Sequence, residues 1–175
     1  MISMNTMSIR LVAGIALAIC GWIQTAGAQQ QMNAVAQERD WAIFVGQENG
    51  NKACAVVSQP KVVKPDGLTR GDIYFYVTMR PAEGVRYEIS VKTGYTYWSG
   101  SETTVAIGDN NFKLFTNEDW AFTDNAAEEE RLVNAMRAGS SMVVTGKSSR
   151  GNTTIDTYSL LGITAALARA AKECG

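Results

Sequence analysis

The stretch MVVTGKSSRGNTTIDTYSLLGITAALARAAKEC, running from Met142 to Cys174, decides the fold. Its first half reads as a β-hairpin: a strand from Met142 to Lys147, a turn at Arg150-Gly151-Asn152, and a return strand from Thr153 to Tyr158. Its second half changes period. Ile163, Ala166, Leu167, Ala170 and Cys174 recur at helical spacing and share one face, so a C-terminal amphipathic helix closes the chain with its cysteine pointing inward.

Upstream, the chain supplies strands for this unit to close over. Ile73, Phe75, Val77 and Met79 alternate with Tyr74, Tyr76, Thr78 and Arg80, which is period two over eight residues. After a tight turn at Pro81-Ala82-Glu83-Gly84 the alternation resumes, with Val85, Tyr87, Ile89 and Val91 set against Arg86, Glu88, Ser90 and Lys92. One side is apolar and the other polar, as in a sheet covered on one face. Shorter strands are expected at Trp41 to Val45, Ala53 to Ser58, Thr103 to Ile107 and Asn111 to Phe115, with turns at residues 47–51 and 108–110. One further helix is expected after Asn125: Asn125 caps it, Glu128 completes a capping box, and Arg137 and Gly139 suit its end. Leu132, Val133 and Met136 give it only a narrow apolar stripe, so it should lie on the surface. The expected fold is mainly β: an antiparallel β-sandwich, immunoglobulin-like in outline, with one surface helix and the C-terminal helix.

The N-terminus reads as an export signal spanning residues 1–28. Arg10 precedes an almost wholly apolar run from Leu11 to Ile23, and Ala26-Gly27-Ala28 offers a small-x-small cleavage site. That run falls short of the roughly 20 residues a bilayer-spanning helix needs, so no transmembrane anchor is expected after cleavage. Cys20 would be removed with the signal; a lipid-attachment role is disfavoured because Ile19, not a small residue, precedes it. Residues 29–39 are glutamine-rich without hydrophobic period and read as a flexible lead-in, leaving residues 40–175 as a single domain. Two cysteines then remain, Cys54 and Cys174, and two thiols in an oxidising compartment point to one disulfide; two separate buried thiols are the alternative.

Composition narrows the chemistry. The chain has 175 residues, a formal net charge of −1 and no histidine, which removes serine–histidine and cysteine–histidine mechanisms. Its sixteen lysines and arginines are dispersed, leaving no electrostatic footprint for nucleic acid. Gly146-Lys147-Ser148 resembles the end of a phosphate loop, but Ser141 stands where that loop requires glycine. A dyad of Lys147 with Ser148 or Ser149 is opposed by strand geometry and by Arg150 nearby. Glu128, Glu129 and Glu130 are explained by a helix start, and Asp109-Asn110-Asn111 by a turn rather than a calcium loop. No metal and no cofactor is expected. The candidate binding patch is Tyr95, Tyr97 and Trp98, held between Gly94 and Gly100, with core packing as the alternative.

Residues 143–151 and 156–166 closely resemble the C-terminal signature of the invasion-associated locus B family of exported alphaproteobacterial proteins. The likeness extends to Asp40-Trp41, to Arg70-Gly71-Asp72 and to residues 132–139. The resemblance implies a periplasmic or secreted β-sandwich from a family named for host-cell invasion, and it carries over no catalytic residue. The expected function is a non-catalytic binding or host-interaction module facing an unidentified envelope or host-surface partner. A structural or stress-protective periplasmic protein is the alternative.

Overall fold

The structure is a computed structural model and describes residues 32–175; the expected export signal lies outside these residues. Among the described residues, eleven strands and two α-helices follow in order. The first four strands are β1 (Asn33–Glu38), β2 (Trp41–Glu48), β3 (Asn51–Ser58) and β4 (Val62–Lys64), and β5 (Tyr74–Arg80) leads through a short 3-10 turn into β6 (Val85–Lys92). Strands β7 (Glu102–Ile107), β8 (Asn110–Asn117) and β9 (Trp120–Phe122) precede helix α1 (Ala126–Ala138). The hairpin of β10 (Ser141–Lys147) and β11 (Thr153–Ser159) then feeds α2 (Ile163–Cys174).

All eleven strands belong to one antiparallel sheet in the order β1-β2-β3-β5-β6-β9-β8-β7-β10-β11-β4. The sheet folds over on itself. Phe75 of β5 meets Tyr158 of β11 at a ring-centroid distance of 5.8 Å, and the Trp41 indole N–H of β2 donates to the Ser159 carbonyl at 3.1 Å. Strands six and eight places apart in the order therefore share one interior. The two layers of this sandwich are halves of a single hydrogen-bonded sheet, and β9, paired with both β6 and β8, sits where one half passes into the other.

The alternation read from the sequence sorts the two faces as expected. Phe75, Val77, Met79, Ile89 and Val91 are buried inward, while Tyr74, Tyr76, Thr78 and Lys92 look outward. Helix α2 packs Ile163, Ala166, Leu167 and Ala170 against β2 and β3, and Cys174 is bonded to Cys54 of β3. Helix α1 buries Leu132, Val133 and Met136 against β6 and β8. Its cap is half of the expected box: Asn125 Oδ1 accepts from the N–H groups of Ala127 and Glu128, but the Glu128 carboxylate turns to Arg131 instead of back to the cap.

One expectation is corrected. Residues 33–38 are not a flexible lead-in but strand β1, in register from Asn33 opposite Val45 to Glu38 opposite Trp41. The free edge of β2 supplies main-chain partners that need no side-chain period, so a polar segment is held as an edge strand.

Candidate functional site

The chain from Gly94 to Trp98 lies at one end of the sandwich, and the structure splits the expected patch there. Tyr97 is 4% exposed, whereas Trp98 is 46% exposed, with the Lys147 ammonium 4.5 Å from its ring centroid. Tyr95 is half-buried and meets Tyr97 edge-on at 5.3 Å. Burial pushes the Tyr97 phenol up to about 12. The two tyrosines are thus packing residues, and Trp98 alone faces solvent.

Behind them lies a buried ion pair. Arg70 forks onto Asp156 of β11 through two bonds of 2.7 and 2.6 Å, with the two side chains 4% and 1% exposed. The Arg70 Nε also donates to the Thr93 carbonyl at 2.9 Å, and its guanidinium lies 5.0 Å from the Tyr95 ring centroid. The Tyr95 hydroxyl shares a 2.6 Å bond with Thr154. Gly71 and Gly94 let the two loops meet: their backbones bond at 2.8 Å, and a Cβ on Gly94 would stand 2.4 Å from the Gly71 carbonyl oxygen. Around the pair, the hydroxyls of Thr93, Tyr97, Thr103 and Tyr158 are buried, and none makes a well-formed hydrogen bond to another of the described residues. Arg70 and Asp156 satisfy one another, so the cluster is a polar stitch between the β5–β6 side and β11. Of the residues weighed as a lysine–serine dyad, the Ser148 Oγ accepts from the Asn152 N–H to close its turn, while Lys147 projects over Trp98.

A larger aromatic surface lies elsewhere, on the outward face of the sheet. Tyr74 and Tyr76 of β5 lie 5.8 Å apart, Tyr76 meets Trp120 of β9 at 5.5 Å, Trp120 stacks with Phe122 at 6.3 Å, and Phe122 meets Phe115 of β8 at 5.6 Å. Phe44 of β2 extends the surface across Ala55 and Val57, forming with Tyr74, Tyr76 and Met32 a shallow cavity of about 340 Å³. Phe115 is 47% exposed and the other rings are partly exposed. A two-residue turn sets this up: Glu118, at φ 54°, turns β8 back so that Trp120 lies opposite Asn117 and beside Lys92. The outward positions of Tyr74 and Tyr76 were visible in the alternation. Trp120 and Phe122 were not, because a three-residue strand has no period.

A disulfide-closed, folded-over antiparallel sheet whose two helices pack into one common core defines the class: an all-antiparallel sandwich-like domain whose distinctive surface is aromatic. The model of the invasion associated locus B protein family matches residues 41–171, and the chain belongs to that family. The crystal structure of invasion associated protein B from Bartonella henselae is similar, with a TM-score of 0.58 at 14% identity over 79% of this chain and 95% of that one. No curated protein sequence matches the chain. No helix among the described residues is long and apolar enough to cross a membrane.

Proposed function

We propose that this chain is an exported envelope protein, periplasmic or secreted, that acts as a non-catalytic binding or host-interaction module. The aromatic stripe from Phe44 to Phe115 is its contact surface. The observation that carries this reading is the stripe itself. Soluble monomers rarely leave contiguous apolar area uncovered, and aromatic residues are the commonest anchors of binding surfaces. Here at least five rings lie edge to edge on strands rather than in the interior. Family membership and the export signal read from residues 1–28 support the compartment, and the association with invasion for which the similar Bartonella protein is named supports contact with a host. Trp98 is a second, separate contact candidate at the loop end.

The test is a photo-crosslinker placed in turn at Tyr76, at Trp98 and at Ala168 on the exposed side of α2, in cells expressing the full chain. A defined adduct at Tyr76 and none at Ala168 is expected. If Tyr76 gives no adduct in a variant that folds, the stripe is not a contact surface and the structural or stress-protective reading takes its place.

A further inference from the structure

We infer that the aromatic stripe docks a basic polypeptide segment, the rings taking its apolar side chains and the carboxylates along both margins taking its arginines and lysines; this deepens the contact-surface reading and rests on it. The first ground is charge. At the margin near the start of β5, Asp72, Glu118 and Asp119 line an open cavity of about 590 Å³, with Lys92 as the cation among its lining residues. Lys92 turns to Asp119 at 3.7 Å, while Asp72 and Glu118 have no ion-pair partner among the described residues. The charge reaches the stripe: burial lifts the Tyr76 phenol above the ordinary tyrosine range, and Tyr74 and the Asp72 carboxylate add to the rise. At the opposite margin Arg80 alone meets Glu88 at 2.6 Å, Glu83 at 2.8 Å and Glu48 at 3.7 Å. Glu88 stands opposite Thr78, and Glu48 is in step with Phe44, so both share the face of the stripe. Each margin therefore holds two carboxylates more than it has cations, on a chain whose whole net charge is −1. Arg86, the next cation on that side of β6, is drawn to Glu130 of α1 at 3.2 Å, and Lys113 and Glu102, beside Phe115, cancel at 2.8 Å. Such a face attracts a cationic partner and repels an anionic one.

The second ground is how the rings and the margins combine. Lys92 shows the geometry within the chain: its ammonium stands 5.4 Å from the Trp120 ring centroid while it faces Asp119. Tyr74, Tyr76, Phe122 and Phe115 have no such cation over them among the described residues, and carboxylates border them. A guanidinium laid on one of these rings with a carboxylate in reach makes both contacts at once. From Tyr74 to Arg80 the strand rises about 20 Å at about 3.4 Å per residue. A segment of about seven extended residues thus spans the two margins, whereas a single small amine meets only one. Every strand under the stripe has a hydrogen-bonded neighbour on both sides, so the segment is held by its side chains and not as an added strand.

The probe is a synthetic peptide of alternating arginine and leucine, about seven residues long. Peptides with glutamate or glutamine in place of arginine, and argininamide as the small cation, are the comparisons. Each is titrated into isotope-labelled protein isolated from cells expressing the full chain and followed by backbone amide shifts. Saturable shifts are expected at Tyr74, Tyr76, Glu88 and Trp120 with the arginine peptide, and not at Ala168. Raising the salt from about 0.05 to about 0.3 M should weaken that binding several-fold. Asp72→Asn combined with Glu118→Gln, which removes two exposed charges and keeps their shape, should weaken it about tenfold. Mapping on the unaltered protein makes the result independent of any variant's folding. No saturable shift with the arginine peptide at millimolar concentration overturns the inference, as does equal or tighter binding of the glutamate peptide, the glutamine peptide or argininamide, or unchanged affinity in the double variant. If the inference fails while the crosslinker at Tyr76 captures a defined partner, the contact surface stands with a partner of other chemistry; if both fail, the stripe is not a contact surface.

Discussion

Removing one partner of the Arg70–Asp156 pair should cost more than any other single change at the sandwich end. Both side chains are almost fully removed from water, and the fork closes with bonds of 2.7 and 2.6 Å. Asp156→Asn keeps the shape but leaves the guanidinium buried with a single strong acceptor, the Thr93 carbonyl. Breaking a buried pair from one side typically costs about 3–5 kcal/mol, because the stranded charge keeps its desolvation penalty. For a domain of this size that corresponds to a fall in Tm of roughly 6–20 °C. Arg70→Met should cost a comparable amount by stranding the carboxylate. The double variant strands neither charge, so its cost should fall short of the sum by at least about 2 kcal/mol. Urea unfolding of the four proteins, with the disulfide intact, gives the cycle. Single costs below about 1 kcal/mol, or additivity within about 0.5 kcal/mol, would refute the reading of this pair as the stitch between the two sides.

Replacing Cys54 and Cys174 together by alanine should lower stability by about 4–5 kcal/mol in the loop-entropy model, given the separation of 120 residues, as read by denaturant midpoints with and without reductant. Gly146→Ala should cost about 1–3 kcal/mol, since its Cβ would stand 2.6 Å from the Tyr95 hydroxyl oxygen and 3.0 Å from the Tyr97 ring, and thermal unfolding reads the loss. Gly162→Ala should cost more, because the obstacle at 2.1 Å is the Glu38 main-chain oxygen and the residue sits at φ 97°. Burial raises the Glu129 carboxyl above the ordinary glutamate range, so the folded state holds that proton more tightly than the unfolded chain does. The resulting penalty is absent below the ordinary glutamate pKa and grows as pH rises through the folded value. Glu129→Gln, which keeps an acceptor for Thr123, should therefore be slightly more stable than the parent at neutral pH and lose that advantage in acid, as chemical denaturation across pH will show.

What was legible from residues alone follows local period. The hairpin of β10 and β11, the inward set on β5 and β6, and the face of α2 ending in Cys174 all lie in segments long enough for a pattern to repeat. Strands β4 and β9, at three residues each, are too short for any period, and β1 is held by the edge of β2 rather than by its own side chains. The aromatic stripe was half legible for the same reason. Tyr74 and Tyr76 were placed outward by alternation, but their continuation through Trp120 and Phe122 depends on β9 pairing with β6, a contact between distant segments. Of the expected patch, only the Trp98 side is presented to solvent; Tyr97 is buried. Alternation already put Tyr97 and Trp98 on opposite sides, and the inward side proved to be a polar interior.

The two aromatic groupings divide the work of the molecule by position. Inside, Tyr95, Tyr97 and Tyr158 wrap the Arg70–Asp156 pair, and two of the stretches that carry the family likeness, residues 70–72 and 156–166, meet there through that pair. Gly146 and Gly162 belong to the same signature, and each lacks a Cβ where a ring or a main-chain oxygen has taken the space. The signature is thus explained by closure of the fold and demands no chemistry from its serines or its lysine. Outside, the stripe stands on strands that are paired on both sides, so its rings are fixed before any ligand arrives and binding would cost little ordering. Trp98, although its main-chain N–H donates to the Lys147 carbonyl at 2.9 Å, is a single ring on a loop beneath the Lys147 ammonium rather than one of a row on paired strands. A contact surface built on the sheet face is therefore favoured over one built on the loop end, although the loop end carries more of the sequence likeness.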